Sequence, residues 1–371
     1  MILFLDIILV ILSILMLWKG ADWLVDSAAE IAHSLKVSDL IIGLTVVAFG
    51  TSAPEFAVTI SAAITKQTDI SIGNVIGSNI FNLGFILGGT AMIRPIVTSK
   101  KLFYRDGFFL LIVTTLIFFL FFGIDGWNNH EPFKDIGNNV YNIGEPFTDS
   151  NNDGIWNENE EFTDVGNNVY DIGEPFTDSN NDGIWNPADT YSNLEGLILF
   201  LLLIGYVTFL FIKKDPPEEV NPHNATLMSY VWFFAGLISI VIGGHLMVQH
   251  ASNIARFLGI SDWVIAVTIV AAGTSAPEFA TSIAAAIKGR HGIAIGNLIG
   301  SDLFNLLGVL GLAGMINASP LNQDIFDSVF LLVLMVGLTL LLIRTKWRIS
   351  RPEGALLVSI NLVRWYFDFA G

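Results

Sequence analysis

The sequence predicts an all-α integral membrane fold: ten transmembrane helices arranged as two inverted five-helix repeats, with an external acidic insert between the fourth and the fifth. Three observations carry this expectation. The chain of 371 residues is 53% hydrophobic and 14% charged, against about 25% charged in soluble domains. A seven-residue segment of the first half recurs unchanged in the second. Lysine and arginine gather on alternate connections between the apolar runs.

A helix that crosses the hydrocarbon needs about 20 mostly apolar residues. The runs that qualify lie at 2–18, 40–64, 70–93, 102–123, 194–212, 226–248, 262–287, 292–316, 324–343 and 352–370. No basic residue precedes the first run and no small-residue cleavage site follows it, so a retained span is expected rather than a removed leader. One side of the membrane then receives Lys19, Lys36, Arg94, Lys100, Lys101, Arg105, Lys213, Lys214, Lys288, Arg290, Arg344, Lys346, Arg348 and Arg351. The other receives only Lys66, Lys134 and Arg256, while Arg364 lies within the last run. Positive charge marks the cytoplasmic face. A multi-pass cell-membrane protein is expected, with both termini and the acidic segment outside.

The net charge of −16 is local. Residues 125–193 hold fifteen Asp and Glu against Lys134 alone, and the remainder nets −2. The chain has no cysteine, so disulfides and thiolate metal ligands are excluded.

Gly50-Thr51-Ser52-Ala53-Pro54-Glu55-Phe56 returns as Gly273 to Phe279, an offset of 223. The same offset carries Gly73-Asn74 onto Gly296-Asn297, Gly77-Ser78 onto Gly300-Ser301, and Phe81-Asn82-Leu83 onto Phe304-Asn305-Leu306. The expected division is a first repeat at 1–123 (spans 1–4), the insert at 124–193, the fifth span with a cytoplasmic linker at 194–225, and a second repeat at 226–371 (spans 6–10). Five spans per half is an odd number, so the second copy enters the membrane upside down. Inverted repeats with Gly- and Pro-interrupted helices at matching places point to a transporter's midplane site.

The chemistry of the paired motif follows from cost. An ionisable side chain at the bilayer centre costs at least about 2.5–3.5 kcal/mol on insertion scales. Glu55 and Glu278 both fall mid-run, each beside a proline that has no N–H and so frees the carbonyl of Gly50 or Gly273. Freed carbonyls at this depth belong to a cavity wall. Thr51 and Glu55 share a helix face at i,i+4, as do Thr274 and Glu278, Ser78 and Asn82, and Ser301 and Asn305. Converging helices would make a cage of two carboxylates, two amides, hydroxyls and carbonyls. Such oxygen donors suit Ca²⁺ and Na⁺.

The paired Gly-Thr-Ser-Ala-Pro-Glu segments, each followed by Gly-Ser-x-x-Phe-Asn, resemble the two alpha-repeats of the cation/calcium antiporter superfamily, the nearest match being the prokaryotic sodium/calcium exchangers. The resemblance covers nearly all of the chain outside 125–193. It implies a secondary antiporter, not an enzyme, that exchanges Na⁺ for Ca²⁺ by alternating access. It implies ion ligands at Glu55, Glu278, Thr51, Ser52, Thr274, Ser275, Ser78, Ser301, Asn82 and Asn305, with the carbonyls of Ala48 and Ala271, and a sliding pair made of the first and sixth spans. Some members carry Asp where this chain has Asn305. Asp302, aligned with Asn79, is the other departure: it could reach the ion pathway or be buried in a polar helix contact. Expected partners are membrane lipid and inorganic cations, with no nucleic acid and no obligate protein partner.

Residues 131–189 repeat with a period of 29: Phe133 and Phe162, Asp149 and Asp178, Trp156 and Trp185. Asp149, Asn151, Asp153, Gly154 and Glu160 match the spacing D-x-[DN]-x-[DN]-G-x5-E, and Asp178, Asn180, Asp182, Gly183 and Asp189 follow it. The carbonyls of Ile155 and Ile184 fall at the seventh loop position. Structural Ca²⁺ is the expected ligand. The other reading of these residues is an acidic linker whose Asn, Asp and Gly make turns.

Rival classes fit less of the chain. A channel needs no inverted pair of broken helices. A serine hydrolase needs a base beside Ser52 or Ser275, and the six histidines all fall outside the matched motifs. Coupling to H⁺ or K⁺ instead of Na⁺ is the alternative that stays open.

Overall fold

The computed structural model describes residues 2–122, 190–213, 225–258, 271–321 and 323–370. Residues 1–121 and 190–371 form one compact unit, and Phe122–Asp189 a second that lies, apart from Phe122, outside the described residues. The helices are α1 (Ile2–Ser34), α2 (Asp39–Thr51), α3 (Ala53–Ile64), α4 (Ile70–Ile93), α5 (Leu102–Phe122), α6 (Asn193–Lys213), α7 (Leu227–Phe257), α8 (Ala271–Thr274), α9 (Ala276–Ile287), α10 (His291–Ile316), α11 (Gln323–Lys346) and α12 (Arg351–Ala370).

Among the described residues, seven helices are long and apolar enough to cross a membrane, and α2 with α3 makes an eighth span bent by 52°. The expected seventh span is described only from Ala271, as α8 and α9. The last, α12, has 20 residues but carries Arg351, Glu353, Arg364 and Asp368 and does not qualify on hydropathy.

Two boundaries differ from the sequence expectation. The run at 2–18 continues unbroken to Ser34, and the run at 226–248 to Phe257. Average hydropathy ends α1 at Lys19 and Asp22. Beyond them, however, Ala21, Leu24, Val25, Ala28, Ala29, Ile31 and Ala32 keep one small, apolar, buried face. That face holds the helix together without an apolar circumference. α1 packs lengthwise along α7. A Cβ at Gly236 would lie 2.7 Å from the Gly20 carbonyl and from Leu24 N, and one at Gly243 would lie 3.1 Å from the Ser13 carbonyl. Only glycine permits so close a crossing.

Matching elements recur across the 223-residue offset. π-helical turns occupy Asn82–Ile86 in α4 and Phe304–Val309 in α10. The chain after α4 forms strand β1 (Ile96–Val97), and the chain after α10 forms β3 (Ser319–Pro320). β1 pairs antiparallel with β4 (Arg348–Ile349), and β3 with β2 (Thr190–Tyr191). These two-residue strands are additions to the expected all-α fold. At the start of α6, Glu195 accepts from the Ser192 N–H at 2.6 Å; at the start of α12, Glu353 accepts from the Ser350 N–H at 2.7 Å.

Candidate cation-binding site

The site begins at two broken helices. α2 ends at Ser52 (φ −79°, ψ 10°), and α3 starts with Pro54 in its first turn; α8 ends at Ser275 (φ −89°, ψ 9°) before Pro277. A proline tolerates that position because the first N–H groups of a helix have no intrahelical partner. Each break therefore sets a glutamate in the first turn of a new helix, Glu55 in α3 and Glu278 in α9. There the positive end of the helix dipole favours an anion.

Each carboxylate is held by the opposite half. The Ser52 hydroxyl donates to Glu278 Oε1 at 3.0 Å, and the Ser275 hydroxyl donates to Glu55 Oε1 at 2.8 Å. Both serines are 0% exposed, as is Glu278, and Glu55 is 1% exposed. Behind them, Asn74 donates to the Glu55 carbonyl at 3.3 Å and to Thr59 Oγ1 at 2.9 Å. Asn297 repeats this on the Glu278 carbonyl at 3.4 Å and Ser282 Oγ at 3.2 Å. Thr51 Oγ1 lies 3.0 Å from Asn297 Oδ1 and 3.4 Å from Ser301 Oγ, and Ser301 approaches Glu278 Oε1 at 3.5 Å.

A second layer lies where α4 and α10 meet. Asn82 donates its Nδ2 to Asp302 Oδ1 at 3.0 Å, and Asn305 donates its Nδ2 to Asn79 Oδ1 at 3.1 Å. Glu55 Oε2, Glu278 Oε2, Asn82 Oδ1, Asn305 Oδ1 and Asp302 Oδ2 are buried and accept from no protein donor. An unsatisfied buried oxygen is costly. Five in one region are what a cation, bound by oxygens alone, would use. No three Asp, Glu, His or Cys side chains converge on one metal-sized point among the described residues. The donor set is thus a mixture of carboxylates, amides and hydroxyls, suited to a hard cation.

Of the expected ligands, Glu55, Glu278, Ser52, Ser275, Thr51 and Ser301 form this contact network, and Asn82 and Asn305 sit in the adjoining layer. Ser78 is buried on α4. The Ala48 carbonyl already accepts from Ser52 N at 3.1 Å and Thr51 Oγ1 at 3.3 Å. Ala271 and Thr274 open and close α8. Asp149, Asn151, Asp153, Ile155, Glu160, Asp178, Asn180, Asp182, Ile184 and Asp189 lie outside the described residues. Sequence reasoning placed Asn74 and Asn297 in the repeat but gave them no part in the site, and it passed over Thr59 and Ser282, which the same offset of 223 relates. A cleft of about 340 Å³, lined by Phe49, Phe56, Leu237, Ile242 and Phe304, has apolar walls unsuited to ions.

The sequence pattern of the family described as sodium/calcium exchanger protein matches residues 5–134 and 228–369. A sodium/calcium exchanger of Methanosarcina acetivorans is 30% identical, with 95% of each chain covered. An uncharacterized membrane protein of Methanocaldococcus jannaschii is also 30% identical, over 95% of this chain and 94% of its own. Among solved structures, a sodium-calcium exchanger soaked with zero Na⁺ and Ca²⁺ superposes with a TM-score of 0.72 at 27% identity, covering 97% of this chain and 98% of that one.

Proposed function

Because this chain belongs to the sodium/calcium exchanger family of multi-pass membrane antiporters, we propose that it exchanges Na⁺ for Ca²⁺ by alternating access, with the ions bound at the midplane between two inverted repeats. The observation that carries this is the exchanged pair of contacts, Ser52 to Glu278 and Ser275 to Glu55, with Oε2 of both glutamates left without a protein donor. Two carboxylates balance one Ca²⁺. The hydroxyls of Thr51, Ser52, Thr274, Ser275, Ser78 and Ser301, the amide oxygens of Asn82 and Asn305, and the carbonyls of Ala48 and Ala271 complete the ligand set for either ion. An ion bound here removes the penalty of the orphan oxygens, and a site emptied of both ions restores it. That difference favours movement between faces only when loaded, as coupling requires.

The division into a first repeat (1–123), an external insert (124–193), a linking fifth span (194–225) and a second repeat (226–371) belongs to the same reading, as do external termini. The insert binds structural Ca²⁺ in its loops at Asp149–Glu160 and Asp178–Asp189, supported by their ligand spacing. A second reading, coupling to H⁺ or K⁺, draws on Asp302, a third buried carboxyl beside Asn82. Uptake of radiolabelled Ca²⁺ into proteoliposomes under equal outward gradients of Na⁺, K⁺ or H⁺ decides between them: Na⁺ should drive uptake well above the others. Equal uptake under K⁺ or H⁺ would move the assignment to that ion.

A further inference from the structure

The layer where α4 meets α10 carries an asymmetry between a carboxylate and an amide. Asn79 and Asp302 are related by the 223-residue offset, as are Asn82 and Asn305. The contact of Asn82 with Asp302 is therefore the image of the contact of Asn305 with Asn79. In one copy the acceptor is an amide, in the other a carboxylate. All four residues are buried, with exposures of 0% or 1%.

We propose that Asp302 is a positioning residue for cation binding, holding the oxygens of Asn82 and Asn305 toward the ion; this rests on the antiporter reading of the same site. An amide can present either its oxygen or its N–H, and in a buried pair the partner decides which. Asp302 accepts through Oδ1 from Asn82 Nδ2 at 3.0 Å, so Asn82 turns its nitrogen to Asp302 and keeps Oδ1 unpartnered. Through its main-chain carbonyl, residue 302 also accepts from Asn79 Nδ2 at 3.1 Å. That bond turns the Asn79 oxygen to Asn305, which donates Nδ2 at 3.1 Å and likewise keeps Oδ1 unpartnered. Every donor in the chain thus runs toward residue 302, and both site amides are left with free oxygens. The second carboxyl oxygen, Oδ2, is also buried and without a donor. An amide at 302 could reverse toward Asn82, drawing its oxygen away from the ion, and would replace Oδ2 by an N–H that repels a cation.

The internal symmetry supplies the test. Asp302→Asn should raise the KM for Ca²⁺ in proteoliposomes on the order of tenfold to a hundredfold, the usual cost of losing an outer-shell partner, with kcat changed far less. The exchange variant Asn79→Asp with Asp302→Asn rebuilds the network in mirror image. Its carboxylate accepts from Asn305, and its amide at 302 accepts from Asn82, so it should recover most of the lost Ca²⁺ affinity. Unchanged KM in Asp302→Asn, or an exchange variant no better than the single one, would overturn the proposal. If Asp302→Asn does not accumulate as monodisperse protein, the exchange variant decides alone, near-native KM supporting the proposal and weak binding overturning it. Failure of both to fold makes Asp302 a packing residue. Native protein assayed alongside separates the two claims: no Ca²⁺ flux at all defeats the antiporter reading, whereas native flux with an indifferent Asp302 defeats this inference alone.

Discussion

Glu55 and Glu278 each use one oxygen to accept from a serine of the other half and leave the second oxygen without a donor. Replacing either by Gln keeps the shape and removes the charge that a Ca²⁺ would neutralise. Glu55→Gln and Glu278→Gln should therefore reduce Ca²⁺ flux to background while the purified protein keeps its elution profile and melting temperature within a few degrees; normal flux in either would move the site elsewhere. The serines should matter less. Hydrogen bonds to charged groups contribute about 1.5–3 kcal/mol, so Ser52→Ala and Ser275→Ala should each weaken Ca²⁺ affinity about tenfold to a hundredfold, read as KM. Equal KM values in native and variant protein would show that these hydroxyls neither hold the carboxylates nor touch the ion. The glutamates and their neighbours were legible in the sequence because a repeated acid in an apolar run has no packing use. The repeat displayed Asn74 and Asn297 but not their role, since an amide in a membrane helix ordinarily bonds a neighbouring helix. Nor could spacing show that Asn82 and Asn305 point their nitrogens at residues 302 and 79.

Helix breaks were readable where proline sits beside glutamate, and Ser52 and Ser275 do interrupt the helices there. The π-helical turns at Gly43–Val47, Asn82–Ile86, Leu102–Gly107 and Phe304–Val309 left no trace in composition. They widen a turn by one residue through backbone geometry alone, and they often mark functional positions. The full lengths of α1 and α7 were hidden for a different reason. Hydropathy averages around the helix, whereas the continuation of α1 past Lys19 depends on one small face against α7. That face yields a stability prediction. A Cβ at Gly236 meets the Gly20 carbonyl and Leu24 N, both backbone atoms at 2.7 Å, which cannot rotate aside. Gly236→Val should separate α1 from α7 and destabilise the protein by roughly 1–3 kcal/mol, the usual cost of overpacking, seen as a melting temperature lower by several degrees in detergent. At Gly205, where an added Cβ meets nothing within 4 Å, substitution by Ala should leave the melting temperature unchanged. An unaltered melting temperature for Gly236→Val would show that the crossing can open without cost.

For the molecule as a whole, two carboxylates balance one Ca²⁺, while the hydroxyl and carbonyl ligands leave room for more than two Na⁺; exchange is then expected to be electrogenic, so uptake driven by an outward Na⁺ gradient should respond to an imposed membrane potential, and a flat response would argue for electroneutral exchange. The insert is expected to be separable from this cycle. Without metal, residues 125–193 carry a net charge of −14, and like charges at this density oppose a compact state. Ca²⁺ in the loops at Asp149–Glu160 and Asp178–Asp189 would neutralise part of that charge, engage the carbonyls of Ile155 and Ile184, and let Phe133, Phe162, Trp156 and Trp185 come together. Extracellular sites of this kind work at about 10⁻⁴–10⁻³ M. Asp189 is one methylene shorter than Glu160 and reaches a bidentate geometry less readily, so the second loop should bind more weakly than the first. The measurement is equilibrium Ca²⁺ binding to the full chain carrying Glu55→Gln and Glu278→Gln, which silence the transport site. Saturable binding in the millimolar range should remain, fall by half or more in Asp149→Asn, and fall less in Asp178→Asn. Deletion of residues 131–189 should abolish it while leaving Na⁺-driven Ca²⁺ flux intact when the glutamates are native. A silenced chain that binds no Ca²⁺ at millimolar concentration would leave the segment as an acidic linker, and loss of flux on deletion would make it part of the transport cycle.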